Sequence, residues 1–251
     1  MIGDLWDRTS DVLRSVWASA SEAHPAPSPR VTLVLGAAAL ACVLYAPVWR
    51  VLRHGITIVH EGGHALVAFL CGRRLQGIRL HRDTSGLTVS RGRPRGLGMV
   101  LTALAGYTAP AALGLGGAWL VSAGYAVGLL WALLVLVLCV AVQIRNWFGL
   151  VPVLCAALAI FALAWWGSAT WQVPVAYGLV WFLVLGSVRP VVEMQGERRS
   201  LLRRRRRSTS DADVLGGLTG LPGGFWVAVL LVIVVACGGL GAWWLVGDLI
   251  G

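Results

Sequence analysis

Two histidines four residues apart, with a glutamate directly after the first, stand in the segment ITIVHEGGHALVAFLCG (residues 56–72). On a helix this spacing places the imidazoles of His60 and His64 on one face, where both can bind the same metal ion. Glu61 lies beside them and has the chemistry of a general base. The pattern therefore predicts a zinc ion held by His60 and His64, with Glu61 as the catalytic residue.

The apolar surroundings of these three residues raise the question of why ionisable groups stand there. An ionisable side chain within a membrane-embedded helix is costly and usually functional. Metal binding would offset the desolvation of the imidazoles, whereas a pair of core histidines satisfied by neighbouring helices is the alternative interpretation. Gly62 and Gly63 leave room either for a substrate or for close packing of another helix, and the sequence allows both.

The composition indicates an integral membrane protein. Hydrophobic residues make up 57% of the 251 residues and charged residues 13%, with a mean hydropathy of +0.76. One globular core could not bury so much apolar surface. Stretches near the roughly 20 residues that span a bilayer as a helix recur along the chain. They lie near residues 31–49, 56–72, 97–120, 122–143, 147–166, 171–188 and 225–247. We expect an all-α polytopic membrane protein with about six to seven transmembrane helices.

The basic residues predict how the chain is oriented. All 21 are arginine, with seven between Arg73 and Arg95 and eight between Arg189 and Arg207. Short basic loops mark the cytoplasmic side of a membrane, so both segments are expected there, together with Arg145. Seven spans would then place the N-terminal residues on the cytoplasmic side and the C-terminal residues outside.

The run Arg203–Arg207 is interpreted as a topology signal that also contacts the headgroups of the lipid bilayer. No nucleic-acid partner is expected, because neither interleaved aromatic residues nor a recognisable binding module accompanies the run. Residues 1–30 combine spaced acids with the proline-rich stretch AHPAPSPR. They are expected to form an N-terminal amphipathic segment and linker before a membrane-embedded domain over residues 31–251.

Three segments together resemble a known family. HEGGHALVAFLCGRRLQGIRLHRDTSGLTVSRG, ALAGYTAPAALG and SDADVLGGLTGLPGGFW are similar to the bacterial branch of the site-2 protease family of intramembrane zinc metallopeptidases. The resemblance implies a metal helix that runs toward the cytoplasm, a small membrane-associated β-hairpin after it, and a distant aspartate that completes the zinc site. LQGIRLHRDTSGLTVSRG fits that hairpin, with two alternating runs around a turn at residues 83–86. The family's usual Asn-Pro and Asp-Gly motif for the third ligand is absent.

The third zinc ligand is therefore sought among the remaining acids and histidines, since catalytic zinc normally has three protein ligands. The candidates are Glu193, Glu197, Asp211, Asp213, Asp248, His54 and His81. Asp211 and Asp213 are preferred, because both precede the last apolar stretch on the side where the metal helix is expected to end. The family resemblance favours Asp211 as the ligand, with Asp213 as the alternative. Both could instead stabilise a helix N-terminus capped by Ser210. Glu193 and Glu197 stand among arginines, with which they are expected to pair.

These residues predict hydrolysis of peptide bonds in a membrane protein or peptide substrate. An extended substrate could pair with the edge of the hairpin, which makes Gly86, Leu87 and Thr88 candidates for substrate binding. Asn146 could bind substrate, or it could pair with Gln143 or Arg145 at a helix end.

Two other functions fit the same residues: a catalytically degenerate membrane scaffold, and a zinc hydrolase that acts on another membrane substrate. The expected location is a bacterial cell membrane, with a multi-pass chain and the active site toward the cytoplasm. The sequence leaves the oligomeric state open.

Overall fold

The computed structural model describes residues 2–81, 85–206 and 208–247. Within these ranges the chain forms ten helices and two strands. They are α1 (Ile2–Ser21), α2 (Pro29–Leu44), α3 (Ala46–Leu70), β1 (Arg74–Leu80), β2 (Gly86–Arg91), α4 (Leu97–Ser122), α5 (Ala126–Gln143), α6 (Trp147–Trp166), α7 (Ala169–Gly186), α8 (Val188–Arg203), α9 (Asp211–Thr219) and α10 (Gly223–Val246). The strands form one antiparallel hairpin. The predicted all-α fold with a hairpin after the helix that carries His60 and His64 is confirmed.

The described chain contains five helical stretches that are long and apolar enough to cross a membrane. They are Leu97–Ser122, Ala126–Gln143, Trp147–Trp166, Ala169–Arg203 and Gly223–Val246. Helices α2 and α3 pass the same test only as a pair, bent by 100° where they join, which makes up to six spans. The bend falls at Tyr45, whose backbone is extended, and Pro47 follows in the first turn of α3. The first two apolar stretches of the sequence are thus two arms of one broken span.

This broken span reverses the predicted side of the N-terminal residues. The backbone N–H of His24 donates to the carbonyl of Gly124, just past the end of α4, at 2.9 Å. At the other end of α4, a Cβ on Gly98 would lie 3.2 Å from the Cβ of Cys71, which follows α3. Residues 24 and 71 therefore lie at opposite ends of α4, and α2 with α3 crosses the bundle once. The prediction that the N-terminal residues share a side with the arginine-rich segments is wrong, because it counted two crossings there.

The arginine-bearing segments do share one end of the bundle. The N–H of Arg145 donates to the carbonyl of Ile78 in β1 at 2.8 Å, which ties the turn between α5 and α6 to the hairpin. The segment after α8 returns to the same end, where Asp211 at the start of α9 contacts the second half of α3. This end of the bundle carries the candidate functional site.

Close packing of α3 against α4 brings the histidines of α3 to the second helix. A Cβ on Gly63 would overlap the Cβ of Ala109 and lie 2.8 Å from the carbonyl oxygen of Ala105. A Cβ on Gly62 would lie 3.1 Å from a methyl group of Val140 in α5. Small residues permit such approach between helices in lipid. Of the two interpretations of these glycines, close helix packing is therefore the one that the structure displays.

Candidate metal centre

Three side chains from two distant parts of the chain converge where α3 meets α9. The Nε2 atoms of His60 and His64 are 3.1 Å apart. The Oδ2 atom of Asp211, the first residue of α9, lies 3.4 Å from the Nε2 of His60 and 3.2 Å from that of His64. The three potential ligand atoms thus form a nearly equilateral triangle.

The size of this triangle can be compared with the size of a zinc site. Nitrogen and oxygen ligands bind zinc at about 2.0–2.2 Å in tetrahedral geometry, which separates ligand atoms by roughly 3.3–3.6 Å. Two histidines and a carboxylate are also a common protein donor set of catalytic zinc, which keeps a fourth position open. The residues present therefore fit a zinc ion.

A backbone carbonyl fixes the orientation of His64. The Nδ1 atom of its ring lies 2.7 Å from the carbonyl oxygen of Thr102 in α4. A carbonyl can only accept a hydrogen bond, so Nδ1 carries a proton, and in the neutral ring the lone pair of Nε2 then faces the triangle. Histidines that bind metals usually donate their other ring N–H to a protein acceptor in this way, which fixes the ring orientation and makes the ligating nitrogen more basic. The ring of His60 packs edge-on against Tyr107, with centroids 4.6 Å apart.

Gly106 provides the space for the two imidazoles. A Cβ at this position would overlap the Nε2 of His64 and lie 2.7 Å from the Cε1 of His60. Because the atom in conflict would be the candidate ligand nitrogen itself, only glycine leaves the triangle intact. Gly106 belongs to the segment ALAGYTAPAALG, which carried the family resemblance without any assigned role.

We expect the Gly106→Ala variant to bind zinc on the order of 10- to 100-fold more weakly than the wild type, because the added methyl group displaces a ligand ring. The measurement is zinc affinity of the purified, folded protein by competition with a chelator. Gly116→Ala is the matched control, since it changes the same helix at a glycine whose Cβ would meet nothing within 4 Å. Wild-type affinity in Gly106→Ala would contradict the proposed position of the metal.

The Glu61 carboxylate faces the hairpin. The hydroxyl of Thr88 in β2 lies 2.6 Å from the Oε2 of Glu61 and 3.1 Å from its backbone carbonyl oxygen. A Cβ on Gly86 would lie 2.6 Å from the Cδ of Glu61. Glu61 is 3% exposed, so β2 encloses the candidate general base. Leu87, between these two residues, is 52% exposed and does not share their face.

The two edges of the hairpin differ. On β1, the side chain of Asn146 binds both backbone groups of Leu80, at 3.0 Å to its N–H and 2.7 Å to its carbonyl oxygen. Leu80 pairs in register with Gly86, and Ile78, whose carbonyl binds Arg145, pairs with Thr88. In an antiparallel ladder, when the backbone groups of one residue point away from the partner strand, those of the residue paired with it also point away, toward the opposite edge of the sheet. The backbone groups of Gly86 and Thr88 therefore point to the outer edge of β2, which pairs with no strand within the described residues.

Asp213, the alternative ligand, lies outside the triangle. Its carboxylate accepts two hydrogen bonds from Arg198, at 2.7 and 3.0 Å, and one from the Ser210 hydroxyl at 2.6 Å. Burial would raise the pKa of Asp213, but the hydrogen bonds from Arg198, Ser208 and Ser210 lower it to about 2. Asp213 is thus an ionised partner of Arg198. Nothing in the sequence marks this pairing in advance.

The other candidate ligands also lie elsewhere in the described chain. The expected ion pair of Glu193 is confirmed, since its carboxylate lies 2.8 Å from Arg189 and 3.4 Å from Arg53. His54 contacts the carbonyl of Val51 at 3.0 Å. The other candidates that are not part of the triangle are Glu197 and His81, both exposed, and Asp248, which is outside the described residues.

Asn146 does not make the helix-end pairing that was one of its two interpretations. Its amide does not pair with Gln143 or Arg145 but bridges the two backbone groups of Leu80, as a neighbouring strand would. Its side chain therefore occupies the hydrogen-bonding edge of β1 at Leu80. A role of Asn146 in substrate binding stays a prediction.

An apolar helix bundle that brings two histidines and a distant aspartate together fits a membrane-embedded metallopeptidase. The family model described as Peptidase M50B-like matches residues 33–241. The chain therefore belongs to the M50B-like peptidase family, and the resemblance to site-2 proteases is confirmed. Comparison with curated proteins and with solved structures finds no significant match.

Proposed function

We propose that this protein is an intramembrane zinc metalloprotease that hydrolyses peptide bonds of membrane-associated protein substrates. The observation that carries the proposal is the triangle formed by the ligand atoms of His60, His64 and Asp211, with sides of 3.1, 3.2 and 3.4 Å. A zinc ion held there would act as a Lewis acid on the scissile carbonyl and increase the acidity of the attacking water.

The chain's own residues supply the proton transfers. Glu61 accepts a proton from the attacking water and then passes it to the amine that leaves. The Thr88 hydroxyl, 2.6 Å from one carboxylate oxygen of Glu61, restricts the rotation of this side chain. The carbonyl of Thr102 keeps the His64 ring in the tautomer that can bind a metal.

Substrate is proposed to bind as an extended strand along β2. A transmembrane helix hides its carbonyl groups in its own hydrogen bonds, so a substrate must unwind before a peptide bond can react. The outward backbone groups of Gly86 and Thr88 offer hydrogen bonds to such a strand, and both residues contact Glu61. Strand addition would thus place the scissile bond beside the general base, with little dependence on substrate sequence.

The proposal is tested by measuring zinc content and cleavage of a membrane-protein substrate by purified wild-type protein, before and after chelation. We expect about one zinc ion per chain and cleavage that stops on chelation and returns with zinc. A folded wild-type protein without bound zinc would overturn the proposal. Zinc binding without peptide cleavage, with hydrolysis of another membrane substrate, would favour a different zinc hydrolase.

The active site is proposed to face the cytoplasm, because the arginine-bearing segments share its end of the bundle. In a cysteine-free background, we expect Ser85→Cys and Ser200→Cys to react with a membrane-impermeant thiol reagent only from the cytoplasmic side. Ser21→Cys is expected to react only from the outside, since the broken span crosses once. Reaction of positions 85 and 200 from opposite sides would contradict the contact between α3 and α9.

A further inference from the structure

Arg198 is a buried cation on α8 that has no part in the chemistry described above. It is 6% exposed, and its guanidinium donates to both carboxylate oxygens of Asp213, at 2.7 and 3.0 Å. A third hydrogen bond, at 2.8 Å, reaches the side-chain oxygen of Gln195. Two parallel hydrogen bonds between a guanidinium and a carboxylate define both distance and orientation.

The partner of Arg198 lies two residues after Asp211. Both acids stand in the first turn of α9, which spans only nine residues. Ser210 precedes the helix, yet its hydroxyl bonds the Asp213 side chain and makes no capping hydrogen bond to the backbone. The first turn of α9 is therefore held from outside, by α8, instead of by its own cap.

The first residue of α10 packs against this ion pair. A Cβ on Gly223, the first residue of α10, would overlap the guanidinium of Arg198 and lie 2.6 Å from the Oδ1 of Asp213. Ala212, between the two acids, is fully buried in an apolar cluster that includes Val191 of α8 and Val227 of α10. Helices α8 and α10 thus help to determine where the first turn of α9 lies relative to α3.

We propose that Arg198 is a positioning residue that sets the Asp211 carboxylate against the imidazoles of His60 and His64 through its two hydrogen bonds to Asp213. This inference rests on the proposed zinc site. A purely structural role would require only a side chain that fills the space. Positioning requires the planar guanidinium, which can make two parallel hydrogen bonds to a carboxylate. Lysine carries the same charge and cannot make the two parallel bonds.

The test compares Arg198→Lys and Asp213→Asn with Arg199→Ala, which removes an exposed arginine at the next position. We expect zinc affinity to fall about tenfold or more in the first two variants and to stay at the wild-type level in the third. We also expect the visible absorption spectrum of the cobalt-substituted protein to change in Arg198→Lys and Asp213→Asn, since that spectrum reports the ligand geometry. Thermal unfolding separates these effects from loss of fold.

Folded Arg198→Lys and Asp213→Asn variants with wild-type zinc affinity and cobalt spectrum would overturn the positioning role. An equal loss of affinity in Arg199→Ala would also overturn it, because general loss of positive charge would then be the cause. A wild-type protein that binds no zinc would refute the proposed function itself, and this result is distinguishable because it appears before any substitution.

Discussion

The Glu61→Gln variant is expected to hold as much zinc as the wild type and to cleave peptide more slowly by a factor on the order of 10² to 10⁴. Glutamine keeps the shape of the side chain and an oxygen that can accept the hydrogen bond from Thr88. It cannot take a proton from water at neutral pH. Since Glu61 lies outside the ligand triangle, its charge is not needed to hold the metal.

The measurement pairs zinc content with the cleavage rate on the same purified sample. Glu197→Gln is the matched control, because it makes the same chemical change at an exposed position on α8. Loss of zinc together with activity would reassign Glu61 as a ligand. Cleavage at the wild-type rate would exclude it as the general base.

The second large effect is expected at Asp211. The Asp211→Ala variant should lose zinc affinity by about 100-fold or more and should not cleave substrate. This loss is larger than that expected from changing a residue that only hydrogen-bonds a metal ligand. The carboxylate lowers the net charge of a bound dication, which a neutral side chain cannot do. Asp211→Asn tests this point with the shape retained, and we expect it to fail as well.

Asp213→Ala is the informative comparison on the same helix turn. Its effect on zinc affinity is expected to be smaller than that of Asp211→Ala, since Asp213 contacts Arg198 and no imidazole. Zinc affinity is measured for both variants by competition with the same chelator. Wild-type affinity in Asp211→Ala would remove Asp211 from the ligand set while leaving His60 and His64 in place.

Several features were accessible from the sequence because they depend on local spacing. The four-residue interval between His60 and His64 puts both rings on one face of any helix. The hairpin was implied by the family resemblance, and two alternating runs separated by turn residues fit it. The membrane-embedded fold followed from composition and from apolar stretches of bilayer length. Each of these inferences needs only the geometry of a single helix or hairpin, or a bulk property of the chain.

The features that only the tertiary structure decided depend on contacts between distant segments. The structure excludes Asp213 from the triangle, because Asp213 forms an ion pair with Arg198 of another helix. The need for glycine at position 106 came from rings carried by α3. The bend at Tyr45 merged two apolar stretches into one span and moved the N-terminal residues to the other end of the bundle. Local spacing cannot specify these features, because each one depends on which helices pack together and how closely.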